Sequence, residues 1–409
     1  MSNISFKSKF SFFNKNDAYK PNFSETSPRE IINKNSTWFQ TMEPITYAKN
    51  QTKKLFEIDD ININELDTNI FRDLLFKNLK IQINGHKELI KNKFLKTSDG
   101  SLNVGLNVIL IDSLLRVVLK NSYFHIFGNI DFEFSLIAVG GYGRGELAPH
   151  SDLDILFLLP NKLTKNDTKK VESVIQLILY ILWDLGYTVG HSTRTINECI
   201  EKSKSDLTIL TSLLEKRFVS GNNEIYNLLD NEFKLFIDNS KTLDFVAAKL
   251  EESDTRHKRF GGSRYVVEPN VKDGKGGLRD LHTLIWISKF AYKVDTISKL
   301  IDLGALSKQE AVLFAEAQRF LLSVRCHLHY RAKREDDRLA MDAQLEIAKS
   351  MNFKNTVTHK DVERFMKRYF LAAKTVGNLT RIFCAAIETE FNKPLRLNFL
   401  SFKKKENVN

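Results

Sequence analysis

Between Phe132 and Leu159 the chain passes from an apolar strand, through a cluster of glycines, into a second apolar run that opens on Asp-Leu-Asp. Residues 132–139 (Phe-Glu-Phe-Ser-Leu-Ile-Ala-Val) alternate and then turn wholly apolar, as a strand entering the interior of a sheet does. Gly140 and Gly141 follow directly; without β-carbons their amides can lie close to a phosphate chain. Arg144 adds a possible charge-assisted contact to phosphate oxygens. Asp152 and Asp154 stand two apart in a strand-like run, so both carboxylates leave one face while Leu153 and Ile155 enter the core. Two adjacent negative charges repel each other unless a hard divalent cation joins them, which is the chemistry of phosphoryl-transfer sites.

Other glycine-loop chemistries fail on detail. A Walker loop needs a Gly-Lys-Ser/Thr ending that is absent, and a dinucleotide fingerprint counted from Gly141 needs glycine where Glu146 stands.

The elements around this segment follow from periodicity. Ile70, Leu74, Leu75 and Leu79 predict an amphipathic helix within 66–96; a Ser-Asp-Gly-Ser turn at 98–101 precedes a second helix over about 105–119. A helix over 171–185 and a third strand over 187–193 complete an α/β unit. Beyond about Asp206 the pattern predicts helices only, with buried faces such as Ala317, Leu321, Val324 and Leu328 and similar stripes around 243–257, 278–293 and 361–387. The expected units are a polar, poorly ordered extension over 1–60, a catalytic unit over 61–205, a helical bundle over 206–395 and a basic tail over 396–409. In the bundle, Lys272-Asp273-Gly274-Lys275-Gly276-Gly277 opens a helix. Its amides and positive charge suit a phosphate, and a glycine-rich helix start packed on the α/β unit accounts for it equally well.

A net charge of +11, from 61 Lys and Arg against 50 Asp and Glu, favours anionic ligands without choosing among them. Cys199, Cys326 and Cys384 lie far apart and read as reduced, buried thiols, so a cytoplasmic protein is expected. The apolar stretch 174–183 falls short of the roughly 20 residues of a membrane span, and no membrane segment is expected.

The run GGYGRGELAPHSDLDILFL resembles the DNA polymerase beta-like nucleotidyltransferases, and in its particular form the bacterial PII uridylyltransferases. The resemblance extends over roughly 66–390 through LWDLGY, GHSTRT, LLEKR and VEPNVKDGKGGLRDL. It implies an α+β fold, a small mixed sheet with helices followed by a helical bundle. It also implies transfer of UMP from UTP to a tyrosine of the PII signalling protein, with release of pyrophosphate. Asp152 and Asp154 would hold Mg²⁺, in a two-metal site that Mn²⁺ could also fill, and Gly140, Gly141 and Ser151 would cradle phosphates. Arg144, Lys272, Gly276 and Gly277 complete the expected nucleotide site.

Members often carry a third carboxylate on a later strand; Asp184 and Asp206 are the nearest candidates, and His191 is expected beside the site rather than on a metal. Bifunctional members continue into HD and ACT domains, for which the sequence shows no clustered His and Asp ligands; His282, His327, His329 and His359 look scattered and chemically idle. The competing readings are a nucleotidyltransferase acting on RNA or a small molecule, with nucleic acid the less expected partner, and a non-catalytic regulatory remnant.

Overall fold

A run of 28 residues from Gly100 to Phe127 contains no proline and one glycine beyond its first residue, and its flanks supply both caps: Asp99 accepts the Leu102 amide, and Gly128 closes the helix in the left-handed conformation. The computed structural model describes residues 44–51, 67–294, 297–356 and 359–390, and in it this helix is the central pillar of the first half. It is long and apolar enough to cross a membrane, contrary to expectation, yet most of its apolar window is covered by other elements, as for a core helix. Before it come α1 (Pro44–Gln51) and α2 (Thr68–Thr97); the pillar is α3. The expected turn at 98–101 is only Ser98 and Asp99, since Gly100 and Ser101 already belong to α3.

Part of the expected extension is ordered. α1 buries Ile45 and Ala48 on α3, where Gly105 leaves room: a β-carbon there would fall 2.2 Å from the Pro44 carbonyl oxygen. Residues 1–43, 52–66 and the basic tail lie outside the described residues. The buried face of α2 is Phe71, Leu75, Leu79, Ile83, Ile90 and Phe94, whereas Ile70 and Leu74 are 52% and 39% exposed. Two adjacent apolar rows both satisfy the helical period, and only contact with α3 selects one.

Four strands form one mixed sheet: β1 (Ser135–Ala138), β2 (Leu153–Leu159), β3 (Val189–Thr195) and β4 (Arg217–Gly221), in the order β3-β2-β1-β4. β1 runs antiparallel to β2 and β4, and β2 runs parallel to β3. A short turn of helix, α4 (Gly140–Gly143), joins β1 to β2; the parallel pair needs a crossover, supplied by α5 (Lys165–Asp184). From β3 the chain reaches β4 through α6 (Ile196–Ser205) and α7 (Leu207–Leu214). β4 overturns the expectation of helices alone beyond Asp206: it is five residues long and buries chiefly Val219, too little for a period of two to stand out.

Both faces of the sheet are covered. Leu153, Ile155 and Phe157 enter the core shared with α1, α2, α3 and α5, while Leu156 and Leu158 enter the core of the helical half. That half comprises α8 (Asn223–Asp238), α9 (Thr242–Arg259), α10 (Leu278–Tyr292), α11 (Ile297–Asp302), α12 (Lys308–Ala332), α13 (Met341–Ser350) and α14 (Asp361–Glu390). α12 locks it to the pillar: the Gly100 amide donates to Ser323 Oγ at 3.0 Å, and a β-carbon on Gly100 would fall 2.2 Å from the Ser323 nitrogen.

Candidate active site

The alternation along β2 puts Asp152 and Asp154 on the face that further along carries Leu156 and Leu158 into the helical half. The two carboxylates therefore open into a cleft of about 640 Å³ between sheet and helices. Asp154 fits there because two glycines flank it. A β-carbon on Gly140 would fall 2.6 Å from Asp154 Oδ2, and one on Gly190, its partner across the parallel ladder, 2.7 Å from Oδ1. Gly140 also has φ +57°, which favours glycine. The place taken by Gly190 is one where a third acid could have been sought, and its role was not foreseen.

Among the described residues no hydrogen bond or ion pair reaches either carboxylate. Burial raises the Asp154 carboxyl above its ordinary range, the charge of Asp152 raises it further, and Lys272 and Arg144 pull against both. Two such carboxylates have the chemistry to hold a hard divalent cation, and among the described residues no third His, Cys, Asp or Glu joins them in a cluster. Ser151 lines the cleft, and its buried hydroxyl has no hydrogen-bond partner among the described residues.

Arg144 lines the cleft with partners that the sequence did not show. Its Nε lies 2.9 Å from Glu146 Oε2 and its Nη1 2.5 Å from Glu215 Oε1, so two buried carboxylates enclose the guanidinium, and its contribution to the cleft is mainly structural. Glu146 also accepts from Gln318 Nε2 at 2.5 Å and lies 2.8 Å from His282 Nε2. The glycine turn is thereby bolted to α10 and α12. Burial opposes ionisation of Glu146, but Arg144 and the contact with His282 together outweigh it and hold the carboxyl well below the usual range. Burial, reinforced by the Arg144 charge, pushes His282 down to about 3, so its imidazole is neutral. His282 is thus part of the site's framework rather than idle. His327 and His329 keep structural partners, Ser98 Oγ at 3.1 Å and Asp337 Oδ1 at 3.2 Å, and the His359 amide donates to Thr356 Oγ1 at 3.1 Å.

The opposite wall is cationic. Lys272 reaches the cleft, with Nζ 2.9 Å from Glu335 Oε1 and 3.9 Å from Asp337 Oδ2. Gly276 and Gly277, expected to hold a phosphate, do not line it. A β-carbon on Gly276 would fall 2.6 Å from the Ala373 carbonyl oxygen of α14, and one on Gly277 2.6 Å from the Val271 oxygen; these glycines permit close packing. The Gly276 amide is occupied by Asp280 Oδ2 at 2.8 Å. Arg279 pairs with Asp273 at 3.3 Å and Asp280 with Arg256 and His257, so the two do not pair with each other.

Sequence reading missed Lys249 and Trp286. The lysine side chain is 2% exposed, lies 4.3 Å from the Trp286 ring centre and 2.6 Å from Glu252 Oε2, and both Lys249 and Trp286 line the cleft. Its signal was a charge inside the apolar row Phe245, Val246, Leu250 of α9. Of the candidate third acids, Asp184 sits 3.6 Å from Arg72 and Asp206 caps α7, neither in the cleft; His191 lines it, as expected.

Comparison with known proteins bears on both walls. Residues 129–217 match the nucleotidyltransferase domain, and residues 244–384 match the family described as GlnD PII-uridylyltransferase. Bifunctional uridylyltransferase/uridylyl-removing enzymes of Azospirillum brasilense and Rhodospirillum rubrum are each 44% identical, over 80% and 81% of this chain and 35% and 36% of theirs. One from Novosphingobium aromaticivorans is 45% identical over 78% of this chain and 35% of its own length. The chain thus spans about a third of the length of the curated relatives it matches. The sheet wall thus matches a nucleotidyltransferase domain and the helical wall resembles PII uridylyltransferases, so both sides of the cleft are similar to parts of that family.

Proposed function

We propose that this cleft transfers UMP from UTP to a tyrosine hydroxyl of a PII signalling protein and releases pyrophosphate. One observation carries the reading: the Asp152 and Asp154 carboxylates, without protein partners among the described residues, face a wall bearing Lys249, Lys272 and Arg279. A triphosphate bridges such walls, its anionic oxygens toward the cations and its metal-binding oxygens toward the acids. In the transfer the phenolic oxygen bonds to the α-phosphorus as the bond from that phosphorus to the bridging oxygen breaks. The electron pair leaves with pyrophosphate, and the phenolic proton passes to solvent.

The chain's residues position and desolvate. Asp152 and Asp154 are the groups that would hold Mg²⁺, which when bound stabilises charge on the phosphate oxygens. Ser151 offers its hydroxyl to a phosphate oxygen. Trp286 supplies an apolar face beside Lys249, and Gly140 and Gly190 keep Asp154 in place by leaving it room. A cytoplasmic setting agrees with the burial of Cys199, Cys326 and Cys384.

The test is to incubate the purified protein with PII, Mg²⁺ and each labelled nucleoside triphosphate in turn. Label should pass to PII from UTP and depend on Mg²⁺. Transfer to RNA or a small molecule instead, or no Mg²⁺-dependent transfer at all, would overturn the assignment.

A further inference from the structure

β3 is an edge strand of the sheet, and its parallel register against β2 sets Gly190 beside Asp154, Ser192 beside Leu156 and Arg194 beside Leu158. Side chains of paired residues share a face, so Gly190, Ser192 and Arg194 form a row on the cleft side of the sheet. All three line the cleft. At a rise of about 3.3 Å per residue, the Arg194 Cα lies about 13 Å along the strand from that of Gly190. An arginine side chain and a triphosphate together cover that span.

Arg194 differs from the other cations of the cleft in what neutralises it. Arg144, Lys249, Arg256, Lys272, Arg279 and Arg325 each pair with a carboxylate. Among the described residues, Arg194 is the one arginine or lysine of the cleft with no hydrogen bond or ion pair. The carboxylate nearest to it in sequence, Glu198, is engaged elsewhere. It closes the capping box of α6, accepting the Thr195 amide at 2.8 Å, and feels the Arg194 charge only at a distance. The arginine is also partly buried, where a guanidinium gains more from an anion than it would in open water.

We propose that Arg194 is a substrate-binding residue that takes the terminal phosphate of the nucleoside triphosphate, a role that rests on the nucleotidyl-transfer reading of the cleft. Asp152 and Asp154 hold the start of the phosphate chain at one end of the row, through the cation they would bind, and Arg194 holds its far end. The Ser192 hydroxyl lies on the same face between them. Two guanidinium N–H groups match two oxygens of a phosphate. By fixing the leaving group, the contact keeps the bond that breaks in line with the incoming phenolic oxygen. The nucleotide is favoured over an acidic side chain of the acceptor because its phosphate chain is already held at the acid end of the same row.

Isothermal titration of the full chain with UTP and with UMP, in Mg²⁺ and without acceptor, tests the contact, and steady-state transfer to PII tests its consequence. Arg194→Met should weaken UTP binding about tenfold or more while leaving UMP binding within about twofold of the parent. Arg194→Lys keeps the charge but not the planar fork; it should lose less, and it carries the comparison should the first variant fold poorly. In transfer, KM for UTP should rise and KM for PII should not. Unchanged UTP affinity in Arg194→Met would overturn the proposal, and a raised KM for PII in its place would assign the guanidinium to an acidic group of the acceptor. Equal losses for UTP and UMP would also overturn it, by moving the contact off the terminal phosphate. A parent protein that binds neither nucleotide would refute the reading of the cleft itself, and the proposal with it.

Discussion

Two pairs of carboxylates stand within the same short stretch of structure and are treated in opposite ways. Glu146 and Glu215, brought together from 69 residues apart in sequence, share the Arg144 guanidinium and, through Glu146, the side chains of Gln318 and His282. Asp152 and Asp154, two residues apart, have no such partner among the described residues. The first pair is completed by the protein; the second is left for a ligand to complete. The contrast teaches that a carboxylate's role is read from what neutralises it rather than from its neighbours in sequence, because an acid pair closed by a buried cation has no capacity left for a metal.

Removing the shared cation tests the contrast most severely. Arg144→Met leaves two buried carboxylates facing each other and should destabilise the fold by about 3–5 kcal/mol in denaturant unfolding. A loss below about 1 kcal/mol would mean that the Glu146 and Glu215 pair is solvated and the contrast false.

The opposite pattern is expected at the aspartates. Asp152→Asn and Asp154→Asn should each lower transfer by roughly 100-fold or more while leaving the unfolding midpoint unchanged or slightly raised, since like-charge repulsion is relieved. Parental rates in both variants would show that these acids do not serve the chemistry.

A smaller effect sharpens the geometric part of the argument. Gly190→Ala puts a β-carbon 2.7 Å from Asp154 Oδ1, too close for the carboxylate to stay, and should reduce transfer about tenfold by displacing it. Full activity with an unaltered metal requirement would show that the carboxylate has room to spare.

The last prediction concerns pH. His282 is pushed down to about 3 by burial, so the folded state resists the proton that the unfolded chain takes up near its ordinary value of 6.5. The stability tied to the neutral imidazole is therefore complete above about pH 6.5 and is lost as pH falls from there toward 3, at up to about 1.4 kcal/mol per pH unit. Between pH 6.5 and 4.5, before most carboxylates titrate, His282→Gln should show a flatter decline of unfolding free energy than the parent, by about that slope. Equal slopes would place the His282 proton outside the linkage.

What could be read from one sequence depended on how far apart the cooperating residues lie. The turn from β1 to β2 was legible because its constraints are local: an apolar strand, glycines at its end, and two aspartates on one side of a strand whose alternation sets their direction. Helices with strong stripes were legible for the same reason, although in α2 two adjacent rows satisfied the period and the wrong one was favoured at Ile70 and Leu74. β4 was missed because five residues with one well-buried side chain carry almost no period. The ion pairs of Arg144 were not legible because its second carboxylate lies 71 residues away, and the packing of Gly276 was not because its neighbour is Ala373 on another helix.

By itself, then, the sequence determined the acid pair, the glycine turn that shelters it and the succession of helices around them, since backbone geometry and side-chain period act over a few residues. Tertiary structure alone decided that Asp154 would lie between Gly140 and Gly190, that Arg144 would be spent on two glutamates, and that Lys249, Lys272 and Trp286 would face the acids across a cleft. Those choices depend on which distant surfaces are pressed together. Burial removes water from charged groups, so the partner that arrives through space, not through sequence, decides whether each charge is satisfied or waits for a ligand.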